Sequence, residues 1–365
     1  MNIAYVLPGF SADDQDAAIP AQDDLVTELA ARHELRVITL RYPHRTQPYR
    51  WRGIAVHPLG GGQTRAAGRL ILWQRAHDLI QRLHQQRPFD VIHATWADET
   101  GLVAVRAARA LGIPSVVSAV GGECVRLDAV GYGLQRSAFS RWIVRQALSA
   151  DAVVAISPYQ ARLVASVSGR RAQVLPLGIP IESIMETNEH RSTERLIHAG
   201  SLVPVKQQVL LLHALSRLPS GVTLEIYGDG PERRTLEAET AALGLHERVR
   251  FPGAVPRARL FSAMAQAALH VQSSAHEAQC MAVVEAAACG TASVGTAVGA
   301  LADDRALGTA ISENHPEALA RAIQEALSRA EAMGEIARAR ARSAYGVSQT
   351  AQSLSELYAQ ISAAH

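Results

Sequence analysis

Two glutamates, Glu277 and Glu285, stand eight residues apart in the segment 273–290, where a short apolar run gives way to a loop and then to small residues. The pattern predicts a strand that ends, a tight loop, and a helix from about Cys280 to Gly290. The first turn of such a helix carries unpaired N–H groups and the positive end of the dipole, which suits a diphosphate. Glu277, just before the helix, can accept hydrogen bonds from sugar hydroxyls. Glu285, two turns in, can reach a ribose diol, because vicinal hydroxyls donate two hydrogen bonds to the two oxygens of one acid. Spacing alone does not establish this: Glu186/Glu194, Glu239/Glu247 and Glu317/Glu325 repeat it in polar sequence, and a solvated helix edge is the plain alternative. Glu285 differs from these in its surroundings. Every other residue of 281–289 is apolar, and an unpaired carboxylate there would be costly, so it needs a partner.

A second constellation is His198-Ala199-Gly200-Ser201-Leu202-Val203-Pro204-Val205-Lys206. Lys206 is the only lysine of the chain, every other Lys/Arg position being arginine. A single ammonium kept in so arginine-rich a sequence points to a site that uses a compact charge with three donors, as a phosphate leaving group would. A chance survivor is the alternative. A third segment, Tyr227-Gly228-Asp229-Gly230-Pro231, reads as a strand, a glycine turn and a helix start; Gly228 and Gly230 permit positive φ and close approach to a nucleotide, although G-x-G-P alone is an ordinary turn.

These residues need strand ends to hold them, and the chain supplies them. Buried strands are expected at 3–7, 35–40, 90–94, 115–119 and 152–156, with helices at 24–32, 69–87 and 101–111 between them. After the polar stretch 181–193 the alternation restarts, with strands at 196–199, 223–227, 249–251, 269–271 and 292–294 and a helix at 231–243 stopped by Gly244. Strand–helix alternation requires right-handed crossovers, hence parallel sheets covered on both faces. The expected fold is therefore α/β, two doubly wound Rossmann-like domains whose strand C-termini line a central cleft. Residues 1–185 and 193–346 are the expected domains. The last helix, 348–361, can pack on either, and 347–365 is assigned provisionally to the first.

Composition narrows the classes. With 365 residues, 48% hydrophobic and 19% charged, the chain suits two globular cores. A net charge of +2 provides no global field for nucleic acid. Three cysteines without metal-type spacing read as free thiols of a reducing compartment. The N-terminal run breaks at Pro8-Gly9, so neither a signal peptide nor a span is expected and the cytoplasm is the expected location. The pairs Asp13-Asp14 and Asp303-Asp304 lack the strand-end setting of a metal site.

From Leu196 to about Asp304 the sequence resembles the donor domain of family 4 glycosyltransferases, which share the GT-B fold. The family pattern G-R-L-x-x-x-K, G-x-G-P, F-x-G-x-V and E-G-F-G-x-x-x-x-E-A-x-A-C-G is met by Gly200, Leu202 and Lys206; by Gly228, Gly230 and Pro231; by Phe251, Gly253 and Val255; and by Glu277, Glu285, Ala286, Ala288, Cys289 and Gly290. The resemblance implies a nucleotide-diphosphate sugar as donor, retention at the anomeric carbon, no metal or other cofactor, and a glycan or lipid-linked acceptor. It implies that Lys206 neutralises the diphosphate, that Glu277 touches the transferred sugar and that Glu285 binds the ribose. Lys206 and Glu277 are then the catalytic residues. Donor contacts extend over Gly9, Ser201, Gly228, Gly230, Val255, Ala278, Gln279, Cys280 and Met281.

The chain departs from the pattern in four places. Ser201 stands where the family has arginine, with Arg233, Arg234 or an arginine of the other domain as candidate substitutes. Ala278 and Cys280 replace two glycines, narrowing the sugar pocket. Val120 stands where the family often has an acceptor-side histidine, in Ala119-Val120-Gly121-Gly122-Glu123. Gly121, Gly122 and Glu123 are the acceptor-side candidates there, Glu123 as the nearest replacement acid or else a surface glutamate. His93 and Trp96 are further candidates, with a core histidine as the default for His93. The departures keep open a relative that binds nucleotide sugar without transfer, and a nucleotide-sugar epimerase is a third reading. Helix 69–87 reads as an ordinary surface helix with an apolar stripe at Leu72, Ala76, Leu79 and Leu83. With Arg75, Arg82, Arg136, Arg141, Trp142 and Arg145 it also suits peripheral contact with an anionic membrane at its inner face.

Overall fold

The computed structural model describes residues 1–16, 18–64, 67–184 and 191–365. Residues 185–190, with Glu186 and half of the polar stretch expected between the domains, lie outside the described residues. The chain divides into two compact units: Met1–Asp128, Tyr132–Gly178 and Val347–His365 in one, Ala129–Gly131 and Ile179–Gly346 in the other.

The first unit holds β1 (Asn2–Gly9), β2 (Glu34–Tyr42), β3 (Tyr49–Trp51), β4 (Ile54–Pro58), β5 (Val91–Thr95), β6 (Ser115–Ala119), β7 (Ala152–Ala155) and β8 (Gln173–Val174). They form one sheet in the order β3-β4-β2-β1-β5-β6-β7-β8, parallel except where β3 returns beside β4. β1 and β5 are adjacent and the chain winds outward from them in both directions, so the topological switch point lies between their C-terminal ends. Strands such as β5 and β6 are buried at every position, as a parallel sheet covered on both faces demands. Helix Glu99–Leu111 begins at Asp98, whose carboxylate accepts from the Thr100 N–H, and ends at Gly112 with φ 65°.

The second unit holds β9 (Arg195–Ala199), β10 (Thr223–Tyr227), β11 (Val249–Gly253), β12 (Leu269–Gln272), β13 (Ser293–Thr296) and β14 (Gly308–Ile311), in the order β11-β10-β9-β12-β13-β14 and parallel throughout. Its switch point lies between β9 and β12. Its core is built from Leu196, Leu224, Ile226, Leu269 and Val294 of the strands, together with Val283, Val284 and Ala287 of the helix Met281–Ala288.

The structure adds β3, β4, β8 and β14 to the expected strands. All four are edge or near-edge pieces of two to five residues, too short or too polar for a periodic signal. Helix Arg233–Ala242 starts two residues later than expected, because Pro231 and Glu232 complete a turn.

The last helix, Val347–Ala364, belongs to the first unit. Thr350 donates to the Pro176 carbonyl at 2.8 Å, and the Tyr358 hydroxyl meets His93 Nδ1 at 2.5 Å. His93 Nε2 is 2.8 Å from Ser118 Oγ, so both ring nitrogens are used inside the core and the imidazole is 1% exposed. Burial holds it neutral, with a pKa lowered to about 3. The default reading of His93 as a core histidine therefore stands, and its acceptor-side candidacy does not. Because this value lies below the unfolded 6.5, the unfolded chain takes up the proton first as pH falls, and stability is lost from about pH 6.5 downward. Urea denaturation at pH 7.5 and pH 5 should show a loss of about 2 kcal/mol from this group alone, and His93→Gln should lose correspondingly less over the same interval.

Candidate functional site

The loops that follow β9 and β12 carry the two sequence constellations, which is why residues 71 positions apart meet. Lys206 Nζ lies 2.5 Å from Glu277 Oε1, their side chains 22% and 12% exposed. The Ser274 hydroxyl donates to the same carboxylate oxygen at 2.6 Å. Two further bonds stitch the loops together: Ser273 Oγ to the Lys206 carbonyl at 2.8 Å, and the Ala275 N–H to the Val205 carbonyl at 2.8 Å. Lys206 closes the short turn Pro204–Lys206, and Gln207 follows it with φ 49°. Cation, acid and switch point therefore coincide.

Helix Met281–Ala288 starts four residues after Glu277, and the side chain of its N-cap makes no capping bond. Its N-cap, Cys280, has φ 69°, the left-handed region that a glycine enters freely and an L side chain at a cost of about 1–2 kcal/mol. The glycine of the family pattern at this position is thus a backbone requirement that this chain meets with a strained cysteine. Burial pushes the Cys280 thiol up to about 12; Glu277 and Glu285 add to that and Lys206 opposes it, so all three charges act on this one residue. Ala278 and Gln279 are buried beside it, and the Gln279 carbonyl accepts from the Ala300 N–H at 2.8 Å. Gly299 lets that second loop close in, since a Cβ there would lie 2.6 Å from the Gln279 oxygen.

Glu285 has the partner its apolar run demanded. Arg257 Nη2 is 3.3 Å from Glu285 Oε1, with side chains 27% and 16% exposed. Sequence reading missed Arg257: it starts the helix Arg257–Gln266, 28 positions away, in a stretch that also offers Arg259. Val255, two residues before it, is half-buried against the small core cluster that includes Ile197 and Tyr227.

Gly228 and Gly230 have φ 118° and 157°, as a glycine turn requires, but the backbone they approach is the chain's own. A Cβ on Gly228 would lie 2.1 Å from the Gly200 oxygen, and one on Gly230 2.4 Å from the Leu202 oxygen. The G-x-G-P turn therefore shapes the 200–202 loop that leads to Lys206. Ser201 is exposed there, its carbonyl held by Gln208 Nε2 at 3.0 Å. Arg233 is already engaged, bonding Glu237 at 2.5 Å and the Phe251 carbonyl at 3.0 Å, and Arg234 is exposed in the same first turn. Below the site, His198 is buried with Nδ1 on the Val271 carbonyl at 2.9 Å; burial lowers it to about 4.

In the first unit Gly9 ends β1, close-packed on Tyr42. Glu123 is neither an open acid nor a surface residue. It is 1% exposed and accepts from the N–H groups of Ala97 (3.2 Å), Val120 (3.0 Å) and Gly121 (2.7 Å), tying the loops after β5 and β6 together. Burial raises its pKa, and the backbone bonds oppose that. Gly122 has no room for a side chain, since a Cβ would meet the Tyr132 ring at 2.5 Å. Trp96 is half-buried with φ 77°, strain of the kind that gathers at binding edges. Asp98, not singled out from the sequence, is pushed up to about 7 by burial, against the pull of its Thr100 bond. Its signal was present: an aspartate opening a helix at a strand end. Among the described residues no cluster of three metal-ligating side chains occurs.

Residues 181–342 match the family described as "Glycosyl transferases group 1", and residues 20–178 match "Glycosyl transferase 4-like domain". Over its whole length the chain superposes on sucrose-phosphate synthase from Thermosynechococcus elongatus with a TM-score of 0.83 at 20% identity. A second superposition takes in 99% of this chain and 100% of Anabaena HepE solved with UDP and glucose, with a TM-score of 0.78 at 20% identity. Both units thus carry the Rossmann-like domains of the GT-B fold. The chain belongs to the family 4 glycosyltransferases. Among curated relatives it is 36% identical to a phosphatidylinositol N-acetylglucosaminyltransferase subunit of Arabidopsis thaliana over 124 residues, 33% of this chain and 27% of that one. It is 28% identical to the D-inositol 3-phosphate glycosyltransferase of Frankia alni over 254 residues, 60% of each. The matches thus span between about a quarter and 60% of these relatives' length.

The Arg257–Glu285 pairing is open to a double-mutant cycle. Arg257→Met should cost roughly 1–2 kcal/mol by leaving a half-buried carboxylate short of a partner. Adding Glu285→Gln should cost little more, and thermal melts of the four proteins would expose additivity if the two side chains are independent.

Proposed function

We propose that the protein transfers a hexosyl group from a nucleotide-diphosphate sugar to a saccharide, lipid-linked or small-molecule acceptor, with retention at the anomeric carbon and without a metal ion. The observation that carries this reading is the Lys206–Glu277 pair, set between the loops of the β9/β12 switch point and the start of helix Met281–Ala288. Crevices at such switch points are where open parallel sheets bind their ligands. The ammonium and the helix N–H groups would hold the diphosphate, whose charge rises as the glycosidic bond breaks. Glu277 would then accept from the hydroxyls of the sugar, and Glu285, held by Arg257, from the ribose. HepE, solved with UDP and glucose, supports a nucleotide sugar as donor. Both matched families are glycosyltransferases, which favours transfer over the binding-only and epimerase readings.

Lys206 carries charge that arginine cannot place as compactly. Lys206→Ala and Glu277→Ala should each lower kcat by on the order of 10²–10³ while melting within a few degrees of the wild type, and Lys206→Arg should not restore it. Thermal-shift screening against UDP-, GDP- and ADP-sugars identifies the donor, because a ligand that binds only the folded protein raises Tm. Proton NMR of the product then reads the anomeric configuration. Inversion, or turnover that chelator abolishes, would refute this mechanism.

A further inference from the structure

Large apolar side chains are exposed at seven described positions, and four of them stand on two helices of the first unit: Leu70 (59%) and Ile71 (61%) on Ala67–Gln86, Phe139 (48%) and Trp142 (40%) on Ala138–Ala147. The helices are joined through their rings. Phe139 stacks on the buried Trp73 at 6.2 Å and on Trp142 at 6.1 Å. Leu70 lies one turn before Trp73, on the same side of its helix. Arginines accompany them: the Arg69 guanidinium lies over the Phe139 ring at 5.7 Å and that of Arg106 over Trp142 at 5.5 Å. The two helices carry five arginines against one acid, Asp78, in a protein whose overall net charge is only +2.

We propose that this face docks on an anionic lipid surface. A solvated helix face has no use for four exposed apolar groups of this size, and clustered exposed apolar surface marks an interaction site. Aromatic rings backed by arginines suit the boundary between acyl chains and headgroups, where the ring enters the apolar layer and the guanidinium stays with phosphate. A second copy of the chain is the less favoured occupant: an isologous contact would bring two like-charged faces together. No helix among the described residues is long and apolar enough to cross a membrane, so the contact would be peripheral. Two such helices and their arginines supply the pair of signals that stable peripheral binding requires.

Vesicle co-sedimentation of the full chain tests this without turnover, so its outcome is separate from that of the transfer reaction. Vesicles of equal phosphatidylcholine and phosphatidylglycerol should retain the protein at low salt, and pure phosphatidylcholine should retain about tenfold less. Binding should weaken between about 0.05 and 0.5 M NaCl as screening grows. Phe139→Ser with Trp142→Ser should lower the partition by on the order of tenfold, and Arg141→Gln with Arg145→Gln should lower it while leaving the apolar surface whole. Matching circular dichroism melts keep a folding defect distinct from a docking defect. No retention on the anionic vesicles would overturn the proposal, as would retention that neither pair of substitutions changes. A concentration-dependent dimer in sedimentation velocity, abolished by Phe139→Ser with Trp142→Ser, would assign the face to a second copy instead.

Discussion

The contact between the Lys206 ammonium and the Glu277 carboxylate is the interaction to which the rest of the second unit's site is fitted. Each group is mostly withdrawn from water, where an unpartnered charge would be expensive, so each makes the other's position tolerable. The surrounding structure serves that pairing. β9 and β12 lie side by side at the switch point, Ser273 and Ala275 bind the backbone of the Lys206 turn, and Gly228 and Gly230 allow a neighbouring turn to press on the loop behind it. Under the proposed function, an ion pair so placed serves as a pre-formed receptor. In the proposed reaction a diphosphate would take over the ammonium while the acid turns to hydroxyl donors.

The second acid illustrates the same physics with a different partner. Glu285 emerges from an otherwise apolar helix and is met by Arg257 from the helix that follows β11. Arg257 gives that carboxylate the charged partner its apolar helix lacks. Cys280 lies among these charges, and its positive φ marks the point at which the loop must turn into the helix. The narrowing expected from Ala278 and Cys280 is therefore only part of their effect, since the backbone conformation of Cys280 is itself dictated by that turn.

Much of the fold was legible because a parallel sheet buried on both faces leaves an unmistakable signal. Runs such as Val91–Thr95 and Ser115–Ala119 are apolar through most of their length and alternate with helices. The placement of Lys206 and Glu277 could also be read, since each follows a strand end in a recognisable pattern. What could not be read was partnership over long separations. Nothing near His93 announces that Tyr358, 265 positions later, completes its hydrogen bonding. Nothing near Glu123 shows that three backbone N–H groups turn its carboxylate inward. Arg257 was one arginine among many, and only the fold distinguishes it. Composition was uninformative here because arginine is so common in this chain, and the same abundance made the single lysine conspicuous.

The most direct measurement is a crystal structure of the protein soaked with the donor nucleotide that raises its Tm. The account predicts the β-phosphate within hydrogen-bond distance of Lys206 Nζ and of the first N–H groups of helix Met281–Ala288, with the ribose hydroxyls on Glu285. A nucleotide bound elsewhere, with the Lys206–Glu277 pair left intact and untouched, would contradict it.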